Sequence, residues 1–318
     1  MQPKPAVPWL LRTERVGARA MFLIFRTLVR SVRFERLRFL GAVLGELQFR
    51  LGFVARRRMV QELAVLLGRS SDDPKPRQQM REAYRCNDVA VLEVLKLLDQ
   101  RQDTDMLLSQ VKVDGVPALR AVLDAGRGAI LLACHAGNGA LLLIRLAALG
   151  FPVSMVYRES AMMDAGLFQR GLAFYDIEGI LATDGLKAYG KMLGALRANR
   201  VVFVMADQGT KKARDGVMFK FLGKRMSMPA GPAQLARHAR TPVLPVEITA
   251  AHPRWSFEIL PPITFQLGAT LEDDMETLLR VSESVIMRHP QWWSWHQRRW
   301  RRFPMSETQS AVAERAEP

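Results

Sequence analysis

Ala129-Ile130-Leu131-Leu132-Ala133-Cys134-His135-Ala136-Gly137-Asn138 decides how this chain is read. Six apolar residues make a run of strand length and stop at a histidine. Gly137, Asn138 and Gly139 follow, and Ala140–Leu149 is apolar for long enough to be a helix. A histidine at the carboxyl end of a buried strand, beside a helix start, is placed to act as a base, and its ordinary pKa lies near neutrality. Gly137 and Gly139 permit a tight turn, and Asn138 can cap the helix. On position alone, a structural histidine beside a turn explains the pattern equally well.

The same alternation continues outward. Val153–Tyr157, Val201–Ala206, Val243–Ile248 and Trp255–Ile263 read as strands. Ala165–Phe174, Leu186–Ala198, Gly231–Ala239 and Glu272–Met287 read as helices. Alternation of this kind predicts an α/β fold with a mostly parallel central sheet covered by helices. Sites in such sheets lie beyond the carboxyl ends of the strands. His135, Arg158 and Asp207 each follow a predicted strand, so one cleft can collect all three. Residues 59–110 read as polar helices, with Ser70-Ser71-Asp72-Asp73-Pro74 as a loop before a helix starting near Pro76.

The 318-residue chain is 49% hydrophobic, ample for a core, and carries a formal net charge of +15. That excess points to a polyanionic partner: nucleic acid, an anionic membrane surface or an acidic protein. Residues 1–58 hold thirteen Arg or Lys against three Glu. On a helix, Arg19, Arg26, Arg30 and Arg33 fall on one stripe, opposite Met21, Ile24, Phe25, Leu28 and Val32. This describes either an amphipathic helix lying in a membrane interface or a helix docked on the core with a solvated Arg face. The expected organisation is 1–60 as basic amphipathic membrane-associating helices, 61–303 as the α/β domain and 304–318 as a flexible tail. No run reaches the ~20 apolar residues of a membrane span, and no signal peptide is expected. Cys86 and Cys134 are too few for a disulfide framework or a zinc site.

His135-Ala136-Gly137-Asn138 resembles the His-x-Gly-Asn-Trp-Glu signature of the late acyltransferases of lipid A biosynthesis. These are the lauroyl/myristoyl transferase group within the lysophospholipid acyltransferase superfamily. Val156-Tyr157-Arg158 resembles the family's Tyr-Arg block, and Ala206-Asp207-Gln208 its Asp-Gln block. Gly216-Val217, Phe221-Leu222-Gly223 and Pro229-Ala230-Gly231-Pro232-Ala233 resemble its Gly-x-x-x-x-Phe-x-Gly…Pro-x-Gly-x-Ala stretch. Pro290-Gln291-Trp292-Trp293-Ser294-Trp295, with Arg298-Arg299-Trp300, resembles its closing motif. The likeness runs over roughly residues 15–303.

The resemblance implies transfer of a fatty acyl chain from an acyl carrier protein or coenzyme A thioester to a hydroxyl of a lipid acceptor. It implies no cofactor and no metal, and a peripheral or monotopic place on the cytoplasmic face of the bacterial inner membrane. It makes His135 the general base and places Gly137, Asn138, Arg158, Glu159 and Gln208 around the substrate. The signature's Trp and Glu are replaced here by Gly139 and Ala140. The carboxylate that would orient His135 must then come from Asp207 or Glu159, or the chain is a catalytically impaired lipid-binding or scaffold homologue. The basic stretch Lys211, Lys212, Arg214, Lys220, Lys224 and Arg225 reads as a loop, either solvated or docking phosphates or an acidic carrier protein. Trp292, Trp293, Trp295 and Trp300 with their neighbouring arginines suit a membrane interface, a packed helix end or, as a third reading, single-stranded nucleic acid. The family likeness favours no nucleic acid. Met162, Met163, Leu167 and Phe168 read as core before acyl-groove lining.

Overall fold

A computed structural model describes residues 25–70, 72–159, 165–210, 216–266 and 268–295. Seven strands make one sheet: β1 (Val111–Asp114), β2 (Ala129–Ala133), β3 (Val153–Tyr157), β4 (Glu178–Leu181), β5 (Val201–Met205), β8 (Val243–Ala250) and β9 (Trp255–Ile259). Their spatial order is β1-β9-β8-β2-β5-β3-β4. Only β8 and β9 pair antiparallel; every other neighbour is parallel. The expected α/β fold with a mostly parallel, helix-covered sheet is the fold observed.

Alternate residues of the central strands serve two cores, as the period of two in a strand requires. Leu131, Phe203 and Leu244 pack on one face with α3 (Pro74–Asp99), α5 (Val116–Asp124), α6 (Gly139–Ala148) and α7 (Ala165–Ala173). Ile130, Leu132, Val202 and Val204 pack on the other with α8 (Leu186–Arg197), α9 (Gly231–Ala239) and α10 (Leu271–Arg288). A short α4 (Thr104–Ser109) leads into β1.

Four differences from the sequence reading have local causes. β1 and β4 are four-residue edge strands with polar residues, too short for an alternation signal. β9 ends at Ile259 because Pro261 and Pro262 cannot donate to a ladder. α3 starts at Pro74, where Asp73 accepts a hydrogen bond from the Lys75 amide. Lys220, Lys224 and Arg225 are not in a loop. They lie on an antiparallel hairpin of β6 (Val217–Phe221) and β7 (Lys224–Met228), closed by Leu222 and Gly223. Both turn residues have positive φ, as the tight hairpin turn matching strand twist demands. Lys211, Lys212 and Arg214 lie outside the described residues.

Helices α1 (Phe34–Leu51) and α2 (Phe53–Leu66) lie against α3. Gly41 and Gly45 face it: a Cβ on Gly41 would stand 2.5 Å from Val89 Cα, and one on Gly45 2.5 Å from the Tyr84 carbonyl oxygen. Close approach on this face turns Phe39, Val43, Leu47 and Leu51 outward, and they stay exposed together with Phe53 and Val54. Just before α1, Arg26 and Arg30 pair with Asp99 at the end of α3, and Val29 is buried while Leu28 is exposed. Two arginines of the expected basic stripe are therefore ion-paired to Asp99 of α3. Arg19, Met21 and Ile24 lie outside the described residues. Among those residues no helix is long and apolar enough to cross a membrane.

Candidate active site

β2 and β5 pair in register from Ala129↔Val201 to Ala133↔Met205. His135 and Asp207 each lie two residues beyond the last pair, and the two side chains meet. His135 Nδ1 is 2.6 Å from Asp207 Oδ1, and the His135 amide donates to Asp207 Oδ2 at 2.9 Å. Asp207 is fully buried, while about a quarter of the His135 side chain remains exposed. The buried carboxylate accepts a second hydrogen bond on Oδ2, from Trp293 Nε1 at 2.6 Å. A carboxylate facing Nδ1 places the imidazole proton there and leaves Nε2 as the basic nitrogen. Gln208 Nε2 stands 3.0 Å from that nitrogen.

Three backbone contacts from one segment hold the histidine loop. Ala136 bridges to Trp293, the Gly137 amide donates to the Trp292 carbonyl, and the Ser294 amide donates to the His135 carbonyl. Thus Pro290–Trp295 runs along the loop like a short added strand. Trp293 and Trp295 are buried and meet edge to face at 4.7 Å, and Trp292 stacks on His289 at 4.6 Å. These three tryptophans pack the protein. Trp300 and the arginines from Arg298 onward lie outside the described residues.

Gly137 has φ 60°, and a Cβ there would meet Ile248 Cδ1 at 2.5 Å and the Trp255 ring at 3.0 Å. Only glycine suits both the backbone and the space. Asn138, expected beside the substrate, is fully buried and supports the loop from beneath. Its Oδ1 caps α6 through the Leu141 amide, and its Nδ2 donates to Glu93 Oε2 at 2.9 Å. The same Glu93 oxygen accepts Trp255 Nε1 at 2.6 Å, and Arg38 lies 3.6 Å from the other oxygen. Burial pushes the Glu93 pKa up; Arg38, Asn138 and Trp255 pull it down.

Arg158 and Glu159 are exposed just past the end of β3, and neither bonds to His135. Of the two candidate carboxylates, Asp207 stands against His135 and Glu159 does not. Ala140 is buried in the first turn of α6. Leu167 is in the core, and Phe168 stacks on Tyr157 at 4.7 Å; Met162 and Met163 lie outside the described residues.

Glu93, Arg38 and the Trp293–Asp207 bond escaped the sequence reading. Glu93 carries a signal: it is an acid on the stripe Cys86, Val89, Ala90, Glu93, Leu97 of α3, where helical spacing calls for apolar residues. Among the described residues, Glu82, Cys86 and His252 bring potential metal-ligand atoms within 4.8 Å. Burial, then Glu82, pushes the Cys86 thiol up, so it donates to Glu82 as a neutral group.

The chain matches the family model described as bacterial lipid A biosynthesis acyltransferase over residues 6–302. It is 29% identical over 196 residues to a phosphatidylinositol mannoside acyltransferase of Mycobacterium tuberculosis (strain CDC 1551 / Oshkosh), covering 59% of each chain. It is 27% identical over 201 residues to the protein of that name from Mycolicibacterium smegmatis, covering 60% of this chain and 65% of the relative. The chain thus spans about three fifths of the length of these relatives.

Proposed function

Because the chain belongs to the bacterial lipid A biosynthesis acyltransferase family, we propose that it is an O-acyltransferase. It transfers a fatty acyl chain from an acyl thioester, on a carrier protein or coenzyme A, to a hydroxyl of a lipid A-type or related glycolipid. The observation that carries this reading is the 2.6 Å contact between His135 Nδ1 and the buried Asp207 carboxylate. On this reading it supplies the orienting acid that Ala140 cannot, which favours an active enzyme over an impaired lipid-binding homologue.

The acceptor hydroxyl approaches His135 Nε2, which removes its proton as the oxygen adds to the thioester carbonyl. Asp207 stabilises the imidazolium that forms. Arg158, exposed at the end of β3, is assigned to binding the substrate. The C–S bond then breaks, and the departing thiolate takes the proton from His135. The names of the mycobacterial relatives support a phosphorylated glycolipid as the acceptor class.

The reading also places the protein peripherally on the cytoplasmic face of the inner membrane. Support comes from the exposed ridge Phe39, Val43, Leu47 and Leu51, continued by Phe53 and Val54, beside the exposed Arg36 and Arg57. Such a surface suits insertion into an anionic lipid interface.

The test is acyl transfer by purified protein in detergent, with labelled carrier-protein and coenzyme A donors. The acceptors are lipid A precursors, lysolipids and mannosylated phosphatidylinositol. Transfer by the wild type that disappears in His135→Ala is expected. Equal transfer by His135→Ala overturns the assignment.

A further inference from the structure

The basic nitrogen of the proposed site is already in use. Asp207 places the imidazole proton on Nδ1, so Nε2 offers a lone pair, and only the N–H end of a carboxamide can face it attractively. The 3.0 Å contact is therefore a hydrogen bond donated by Gln208 to the atom that must receive the acceptor's proton. An acceptor hydroxyl cannot reach Nε2 until this amide moves away. Withdrawing the amide takes rotation about the three side-chain torsions of Gln208, a half-buried residue that precedes Gly209.

We infer that Gln208 stands in for the acceptor hydroxyl and guards His135 against water. The inference rests on the acyl-transfer reading above. His135 is partly exposed, so with a thioester bound and no acceptor present, water is the competing nucleophile. With Nε2 free, His135 would take a proton from water as the hydroxide adds to the carbonyl carbon. The C–S bond would break, and the thiolate would leave with that proton, giving a fatty acid and a free thiol. The Gln208 amide opposes this by occupying the lone pair. A lipid acceptor brings binding energy from its whole headgroup and chains and can displace the amide, whereas one water brings a single hydrogen bond in exchange. Gln208 then decides between transfer and hydrolysis.

The experiment uses the full chain with myristoyl-coenzyme A and with myristoylated acyl carrier protein, reading free thiol without acceptor and acyl transfer with it. Gln208→Met keeps bulk and removes the donor; Gln208→Ala removes both. Both are expected to raise acceptor-free thiol release about three- to tenfold, the span of one neutral hydrogen bond. Adding His135→Ala should abolish the gain. Nitrogen-15 spectra of labelled histidine should show the Nε2 resonance of His135 move toward that of a free imidazole in Gln208→Met. An unmoved resonance, or unchanged thiol release in both variants while the wild type transfers, overturns the guarding role alone. No thiol release and no transfer by any form overturns the acyl-transfer reading, and the guarding role with it.

Discussion

His135 and Asp207 are 72 residues apart, the same offset that pairs Ala133 of β2 with Met205 of β5. Their contact follows from strand register carried two residues past the sheet. Asp207→Asn keeps the shape of the side chain but no longer fixes the Nδ1–H tautomer. It is expected to lower kcat by ~10²–10⁴. Glu159→Gln, at an exposed position, should leave transfer within about twofold. Steady-state kinetics on both variants decide which carboxylate serves His135, and the reverse ranking would sink the pairing.

Restoring the family's motif acid should not help. Ala140 is buried among apolar side chains, and the Nδ1 side of His135 is already taken by Asp207. Ala140→Glu is expected to destabilise the fold by ~1–3 kcal/mol through crowding and burial of a carboxyl group. Thermal unfolding and transfer are measured together; a higher kcat would show that Asp207 is not the orienting group.

On the proposed mechanism Trp293 acts on the chemistry through its hydrogen bond to Asp207. Trp293→Phe preserves most of the packing against Trp295 but removes the N–H donor to Oδ2. Loss of a hydrogen bond to a charged group predicts a kcat about tenfold lower or more, with KM little changed because the Trp293 side chain is buried. Unchanged kcat would make Trp293 a packing residue alone.

Asp88 sets a pH dependence of stability. Burial raises its pKa to about 6 from an ordinary 3.8, and the Asn87 hydrogen bond only partly offsets this. Asp88 Oδ2 has no hydrogen-bond partner among the described residues. Between these two values the folded state holds a proton that the unfolded chain has released. Stability therefore falls as pH rises from the lower value through about 6. Asp88→Asn should gain about 1–2 kcal/mol near neutral pH, discounted for partial solvation, and almost nothing near pH 4. Denaturant titrations across this range check both the sign and the window.

The apolar ridge on α1 predicts a separable membrane defect. Phe39→Asp with Val43→Asp should weaken binding to phosphatidylglycerol vesicles by at least about tenfold, since each apolar side chain contributes ~1.5–3 kcal/mol on burial. Transfer to detergent-dispersed acceptor should persist. Undiminished vesicle binding would move the membrane surface elsewhere on the molecule.

Much of this was legible from the chain itself. The apolar runs ending at His135, Arg158 and Asp207 predicted strands with their carboxyl ends at one edge of a parallel sheet, because burial on both faces requires continuous apolar residues. The blocks around His135, Asp207 and Trp293 predicted the family. Local patterns also placed helix starts near Pro76, Ala140 and Glu272, within one or two residues of the observed starts at Pro74, Gly139 and Leu271. Edge strands β1 and β4 and the β6–β7 hairpin were missed, since short, half-polar strands are specified by their partners more than by their own residues.

Which groups touch was a tertiary matter. Sequence put Asp207 forward for the missing acid and kept Glu159 as an alternative; the register between β2 and β5 separates them, and register depends on pairing across the sheet. Sequence likewise put the tryptophans between interface and core, and Arg26 and Arg30 on a basic stripe facing either a membrane interface or solvent. Packing buries Trp293 against Asp207 and turns both arginines to Asp99. Local periodicity encodes which residues form each element and which face is apolar. Contacts between residues far apart in the chain form only when those faces dock, and there the direction of each polar side chain is decided.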